Sequence, residues 1–301
     1  MRRWVAHNGT LLLMALPGLL VLFTFSYLPL PGIILAFKDY KAAQGIFGSE
    51  WVGFNNFTYL FSTGIAWRII RNTLFINTLF IIANLVASLS VAVLLHEVYD
   101  HFVSRIYQAV LFFPYFVSFV IVGYFTFILF STDGGFINNL LQQLGLAPVR
   151  WFNEARHWPV ILMLVNLWHS LGYFTIIYLA GIIGINPEYY EAARIDGANK
   201  WNENTHITLP LIRPLIIINV LLAIGRIFFA NLDLFINVIR DQGSLLSTSD
   251  VIDTYVLRSL TTLGNFNMAS AAGLFQALVG FGLVVFSNWI VRRIDADQAL
   301  F

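Results

Sequence analysis

The chain contains no cysteine. That removes disulfides, thiol chemistry and thiolate-bound zinc together. Charge is scarce as well, at 11% of 301 residues, where soluble domains carry about 25%. Such a chain cannot clothe a water-facing surface. Its net charge of +1 supplies no basic face for phosphates, which argues against a nucleic-acid partner. His7, His96, His101, His157, His169 and His206 never fall at HxH or HxxxH spacing, so no histidine metal site is expected. No GxxxxGK[ST] loop occurs, so the chain has no Walker-type cradle for nucleotide phosphates.

What is present is apolar: 58% of residues are hydrophobic and the mean hydropathy is +0.75. Crossing about 30 Å of hydrocarbon takes roughly 20 apolar residues in a helix. Six segments qualify, at about Thr10–Phe37, Asn72–Leu95, Gln108–Phe130, Trp158–Ile183, Pro214–Ile236 and Met268–Val291. The first follows Arg2 and Arg3 like a signal peptide. It is too long, with no small-residue cleavage site before Lys38, and is expected to be a retained anchor. Tyr27, Trp51, Trp67, Tyr107, Trp151, Trp158 and Trp289 gather near span ends, as interfacial aromatics do. The 38–67 stretch, with Gly45, Gly48 and Gly53, reads as a loop dipping along the interface. Residues 132–157 and 237–267 are the other long connectors.

Six spans put both termini on one side. That side collects Arg2, Arg3, Arg105, Arg194, Lys200, Arg213, Arg292 and Arg293, and the other Lys38, Lys41, Arg68, Arg71, Arg150, Arg156, Arg240 and Arg258. The count is a tie. The flanking pairs Arg2/Arg3 and Arg292/Arg293 favour cytoplasmic termini. Glu97, Asp100, His101 and Arg105 on a short turn of the same side are expected to solvate it.

One polar island interrupts the apolar runs: EAARIDGANKWNENTHITLP over residues 191–210. Asn186-Pro187-Glu188 suits a helix start, with an Asn cap, Pro in the first turn and an acid at the positive end of the dipole. Gly197 breaks that helix, and a second short helix from Asn199 is expected to end before Pro210. The result is an angled two-helix elbow, unless the segment is an ordinary amphipathic connector. Glu191-Ala192-Ala193, Asp196-Gly197-Ala198, nine residues after Gly197, then Ile207-Thr208-Leu209-Pro210 resemble the EAA signature of ABC-importer membrane subunits, with its spacing intact and before the next-to-last span. The segments LPGLLVLFTFSYLPLPGIILAFKDY, GSEWVGFNNF, STDGGFINNLL and DVIDTYVLRSL extend the likeness along the chain, towards the oligosaccharide branch that includes lipoprotein-associated polysaccharide permeases and alginate-importer subunits.

The resemblance implies an all-α polytopic protein of the type I importer fold. It would have an N-terminal helix and loop at 1–67, a core permease domain at 68–291 with its coupling loop near 184–213, and a cytoplasmic tail at 292–301. It further implies a multi-pass protein of the cell membrane that performs no covalent chemistry and binds no cofactor. ATP and magnesium would sit on two cytoplasmic ATPase subunits. Glu191, Ala192, Ala193, Asp196, Gly197, Ala198, Ile207, Leu209 and Pro210 would form the docking helix. An extracytoplasmic solute-binding protein would deliver the oligosaccharide. Six spans make half a pathway, so a similar second permease is expected, with a homodimer left open.

Polar residues inside the spans are costly and face partners or cavities. Asn219, Arg226 and Asp233 recur every seven residues on the fifth span, with Asn237 four later, and so share one face of a continuous helix. Arg226 could pair with Asp233 or with a neighbouring helix. Asn166, His169, Ser170 and Tyr173 form a stripe on the fourth span, and Asn77, Asn84 and Ser88 lie on the second. Two readings stand: hydrogen-bonded helix seams, or a cavity in which Arg226 meets a carboxylated sugar through a bidentate contact. A secondary transporter driven by an ion gradient is the alternative for the whole chain. It lacks an internal repeat here and leaves the island unexplained.

Overall fold

In lipid a backbone finds no water to bond, so long apolar segments close their hydrogen bonds within helices. The computed structural model describes residues 2–98, 101–240 and 242–294, and they are overwhelmingly helical. Asp100 and the tail from residue 295 lie outside the described residues, as do the side chains of Arg2, Arg3 and His101. Among the described residues, four helical segments can cross a membrane by length and composition: Leu13–Phe37, Ile65–His96, Ala155–Ile183 and Phe266–Arg293. Two bent pairs, Phe102–Phe116 with Phe119–Phe130 at 95° and Lys200–Leu211 with Arg213–Gly225 at 61°, raise the number to six if each is one span.

The chain divides into two compact units, one made of residues up to 65 with 256–275 and the other of the remainder. The first unit opens with α1 (Arg2–Leu22), which runs on through π and 3-10 turns to Phe37. The 38–67 stretch is not the simple interfacial loop expected from its glycines. It holds an antiparallel pair, β1 (Lys38–Asp39) and β2 (Glu50–Trp51), followed by α2 (Asn55–Ser62). Phe37 stacks on Trp51 with ring centroids 5.8 Å apart, and Asn56 Nδ2 donates to the carbonyls of Ala36 and Lys38. Strands of two residues are too short to leave an alternating pattern.

The second unit carries α3 (Ile65–His96), α4 (His101–Phe112), α5 (Phe119–Phe130), α6 (Phe136–Gln143) and α7 (Trp158–Ile183). Two short helices follow, α8 (Glu188–Ile195) and α9 (Lys200–Glu203), then α10 (Arg213–Gly225) and α11 (Leu232–Ile239). Residues of α12 (Ile252–Thr261) and α13 (Phe266–Ile294) belong partly to each unit. At 1.5 Å per residue, the 32 residues of α3 reach about 48 Å, well past the hydrocarbon thickness.

Neither the third nor the fifth span is the continuous helix expected from its hydropathy. Pro114 lacks the N–H that a helix interior needs, and Val117 and Ser118 turn extended at ψ 125 and 146, so α5 leaves at a right angle. In the fifth span α10 stops at Gly225 and α11 begins only after Asn231. α11 buries Leu234, Phe235 and Val238 in a cluster with Ile76, Phe80, Val122, Trp158 and Leu162.

Lipid tails are as apolar as the helices, so association rests on close packing, and small residues mark the tightest crossings. A Cβ on Gly172 of α7 would collide with the carbonyl of Leu111 and lie 2.6 Å from Phe112 Cα. One on Gly123 of α5 would strike the Asn237 carbonyl of α11. Gly172→Ala and Gly123→Ala are therefore expected to cost about 1–3 kcal/mol each, read as a lower melting temperature in detergent. Gly282→Ala, with nothing within 4 Å of the added methyl, should leave it unchanged or raise it. Equal behaviour of the three variants would refute the packing account.

Candidate functional site

A cavity of about 1110 Å³ lies within the second unit, bounded by α3, α7, α10 and the two breaks. It brings together Asn166, His169, Tyr173, Asn219, Arg226 and Asp233 of the polar stripes. Asn77, Asn84, Ser88, Ser170 and Asn237 line it as well. Sequence periodicity missed Tyr115 and Asn231, both at breaks. The signals were Pro114 just before the tyrosine, and an Asn whose Oδ1 caps α11 by accepting from the Leu234 N–H at 3.3 Å.

The seven-residue spacing on the fifth span named the right residues for the wrong reason. Arg226 sits past the end of α10 with φ −105 and ψ 9, so Asn219, Arg226 and Asp233 do not share one helical face. No ion pair among the described residues joins Arg226 to Asp233, and both side chains are exposed to the cavity. Several other polar residues are already engaged. Asn219 Nδ2 donates to its own turn at Leu215, and Ser170 Oγ donates to Asn84 Oδ1 at 2.7 Å. Tyr173 stacks on Tyr115 with centroids 4.9 Å apart and planes 12° off parallel.

Each break leaves backbone groups without helical partners, and neighbouring side chains supply them. His169, nearly buried, donates its Nε2 proton to the Val117 carbonyl at 3.1 Å, which makes it a brace for the third span as well as a cavity wall. At the fifth-span break Asn77 Nδ2 donates to Ile227 O at 2.7 Å. Gln276 Nε2 donates to Phe228 O at 2.6 Å and to Asp253 Oδ2 at 3.0 Å. The same Asp253 oxygen accepts from Ala230 N–H at 2.7 Å. Burial pushes the Asp253 carboxyl above its ordinary value, against the pull of those two donors.

A second feature is the elbow at 184–213. Asn186 Oδ1 accepts from the Glu188 N–H, which starts α8 as expected. The helix ends in a Schellman turn: Ala198 N–H reaches Ala193 O, Gly197 N–H reaches Arg194 O, and Gly197 adopts φ +85. Asn199 then caps α9. Contrary to expectation, Pro210 does not end the second arm. A wider π turn at Asn204–Thr208 absorbs the register change, and the helix runs to Leu211 before bending at Ile212.

The two arms are clamped together. Glu203, 2% exposed, accepts from Arg194 at 2.8 and 3.3 Å and from Lys200 at 3.1 Å. Lys200 also meets Glu97 at 2.7 Å, so Glu97 grips the elbow rather than simply solvating its turn. Tyr190 OH pairs with Thr208 Oγ1 at 3.0 Å. Of the signature residues, Glu191, Ala192, Asp196, Gly197 and Pro210 are exposed, while Ala193, Ala198, Ile207 and Leu209 are half-buried. Two large apolar side chains that the motif does not specify, Ile195 and Trp201, stand 87% and 75% exposed on the same elbow. Among the described residues no group of His, Asp or Glu could hold a metal.

Comparison with known proteins gives a consistent picture. The family model for the binding-protein-dependent transport system inner membrane component matches residues 83–299. Protein LplB of Bacillus subtilis (strain 168) is 37% identical over 298 residues, covering 98% of this chain and 93% of its own. The polygalacturonan/rhamnogalacturonan transport system permease YteP of the same organism is 35% identical over 290 residues, 95% of this chain and 89% of its own. A chain of a bacterial ABC transporter involved in import of the acidic polysaccharide alginate superposes with TM-score 0.89 at 32% identity, covering 98% of this chain and 100% of that one. A second crystal structure holds the alginate transporter in complex with an alginate pentasaccharide-bound periplasmic protein. It gives the same score and identity, covering 98% of both chains.

The raised Asp253 carboxyl carries a pH signature. The folded chain holds that proton more tightly than the unfolded one, so its contribution is fully present below about pH 4 and is lost as pH climbs through the raised value. Asp253→Asn cannot titrate. The melting temperature of the parent minus that of the variant is expected to fall as pH rises from 4 towards neutrality, then level off. A difference that stays constant across that range would contradict the assignment.

Proposed function

The chain belongs to the family of binding-protein-dependent transport system inner membrane components, and on that premise we propose that it is half of the translocation pathway of an ATP-driven oligosaccharide importer, with acidic, uronate-type chains as its substrates. The carrying observation is the cavity, where the Arg226 guanidinium stands without an ion-pair partner among the described residues. A guanidinium fork matches a carboxylate in two parallel hydrogen bonds. The side-chain amides of Asn84 and Asn166 offer partners for sugar hydroxyls, and Asp233 can accept from them. The parallel rings of Tyr115 and Tyr173 present aromatic surface for the apolar faces of a sugar ring. The named substrates of two similar proteins, polygalacturonan/rhamnogalacturonan and alginate, favour the same class.

The elbow is the coupling element in this reading. Its free acids Glu191 and Asp196 meet cations of a cytoplasmic ATPase, and Ile195 and Trp201 fill the floor of the receiving groove, as exposed apolar patches outside a membrane do. Because the clamp at Glu203 makes the arms one rigid body, closure of two ATPase subunits moves the elbow whole and the spans attached to it. ATP and magnesium stay on those subunits, so this chain is not itself an enzyme. The elbow then lies in the cytoplasm together with both termini. A homologous second permease completes the pathway, and a solute-binding protein delivers substrate from outside.

Glu191→Lys should leave the protein in the membrane yet cut uptake at least about tenfold, because like-charge contacts at an interface cost several kcal/mol. ATP hydrolysis should lose its stimulation by loaded binding protein. Transport that survives this change sinks the coupling role. Arg226→Ala should raise KM for uronate oligomers about tenfold, roughly 1.4 kcal/mol, and leave neutral oligomers within about twofold. Equal loss for both classes rules out carboxylate recognition there.

A further inference from the structure

The connector between the third and fourth spans carries no charge over residues 134–149, although it is not itself a span. Its helix, α6, follows a turn suited to glycine. Gly134 takes φ +74, and a Cβ on Gly135 would collide with the Ser131 carbonyl. Asn138, 1% exposed, then fastens the helix. Its Nδ2 donates to the carbonyls of Thr132 at 3.2 Å and Val149 at 2.9 Å, and its Oδ1 accepts from Trp151 Nε1 at 3.0 Å. Trp158 Nε1 donates in turn to the Trp151 carbonyl at 2.7 Å. The helix is thereby tied to the first residue of α7. That end lies about 39 Å of helix away from the elbow, where the span leaves the hydrocarbon.

At about 100° per residue, α6 has three flanks. One meets the protein, with buried Asn138 between the half-buried Ile137 and Leu141. The second carries Phe136, Leu140 and Leu144, which are 61%, 45% and 67% exposed. The third carries the exposed amides of Asn139, Gln142 and Gln143. A helix lying in a bilayer surface against a protein has the same three surroundings: protein, acyl chains and water. We propose that α6 is an interfacial helix whose Phe136–Leu140–Leu144 flank is sunk among the acyl chains of the leaflet opposite the elbow. Lipid is the occupant for two reasons. The flank is tied to the level at which a span ends, and the surface turns from apolar to amide within the width of one helix. With no cation on α6, attachment rests on apolar burial and not on attraction to anionic headgroups.

The absence of native cysteine makes depth directly measurable. Single nitroxide labels are introduced through Leu140→Cys, Leu144→Cys, Gln142→Cys and Gln143→Cys, one at a time. All four side chains are exposed, so the substitutions leave the packing intact. Each variant is assembled with cysteine-free partner subunits in nanodiscs of zwitterionic phosphatidylcholine. Power saturation then compares collisions with oxygen, which concentrates among acyl chains, and with a nickel chelate, which stays in water. The labels at 140 and 144 should favour oxygen and those at 142 and 143 nickel, a reversal across one helix. Exclusion of both reagents at 140 and 144 would mean that a protein covers the flank. Nickel in excess at all four positions would place the helix in water. Either result overturns the proposal.

Discussion

The constraint that organises this molecule is the intolerance of a lipid-embedded chain for unpaired peptide groups. An unbroken bundle meets it within each helix. Here two spans are interrupted, and each interruption draws side chains from elsewhere: His169 to Val117, Asn77 to Ile227, and Gln276 with Asp253 to Phe228 and Ala230. The polar residues of the bundle are thus tied to its irregular backbone. The cavity lies between the two breaks, so the fold and the candidate site have one origin.

The elbow answers a different demand, that a short polar segment behave as a solid. Eight residues of helix are marginal alone. A Schellman turn fixes the angle, two capping asparagines fix the starts, and a buried carboxylate gripped by Arg194 and Lys200 fixes the arms against each other. The bond from Lys200 to Glu97 carries that rigidity to the end of α3. The exposed acids Glu191 and Asp196 and the bare apolar side chains then stand on a platform instead of a tether.

Much of this was legible in the residues. The fourth span begins and ends at Trp158 and Ile183 in both readings, because Pro159 marks its first turn and Gly184 its end. Asn186 and Gly197 foretold the elbow, and the two readings left open for the polar stripes each describe part of what is seen, cavity walls and hydrogen-bonded seams. The break at Pro114 carried a visible cause that hydropathy averaging hid. The break after Gly225 carried only faint marks, the glycine itself and the Asn231 cap, and its partners Asn77, Asp253 and Gln276 are remote in sequence. Pro210 misled for a related reason: its missing N–H falls after a π turn that had already shifted the register.

The contact at Gly172 has its own consequence. There the backbone of α7 meets that of α4 at Leu111 with no side chain between them. The distance between the two rods is thus set by peptide atoms, which have no rotamers to yield, while the neighbouring Tyr173 ring, stacked on Tyr115, fixes how they meet. The crossing is a spacer of zero thickness: nothing can be slipped into it without moving a whole helix.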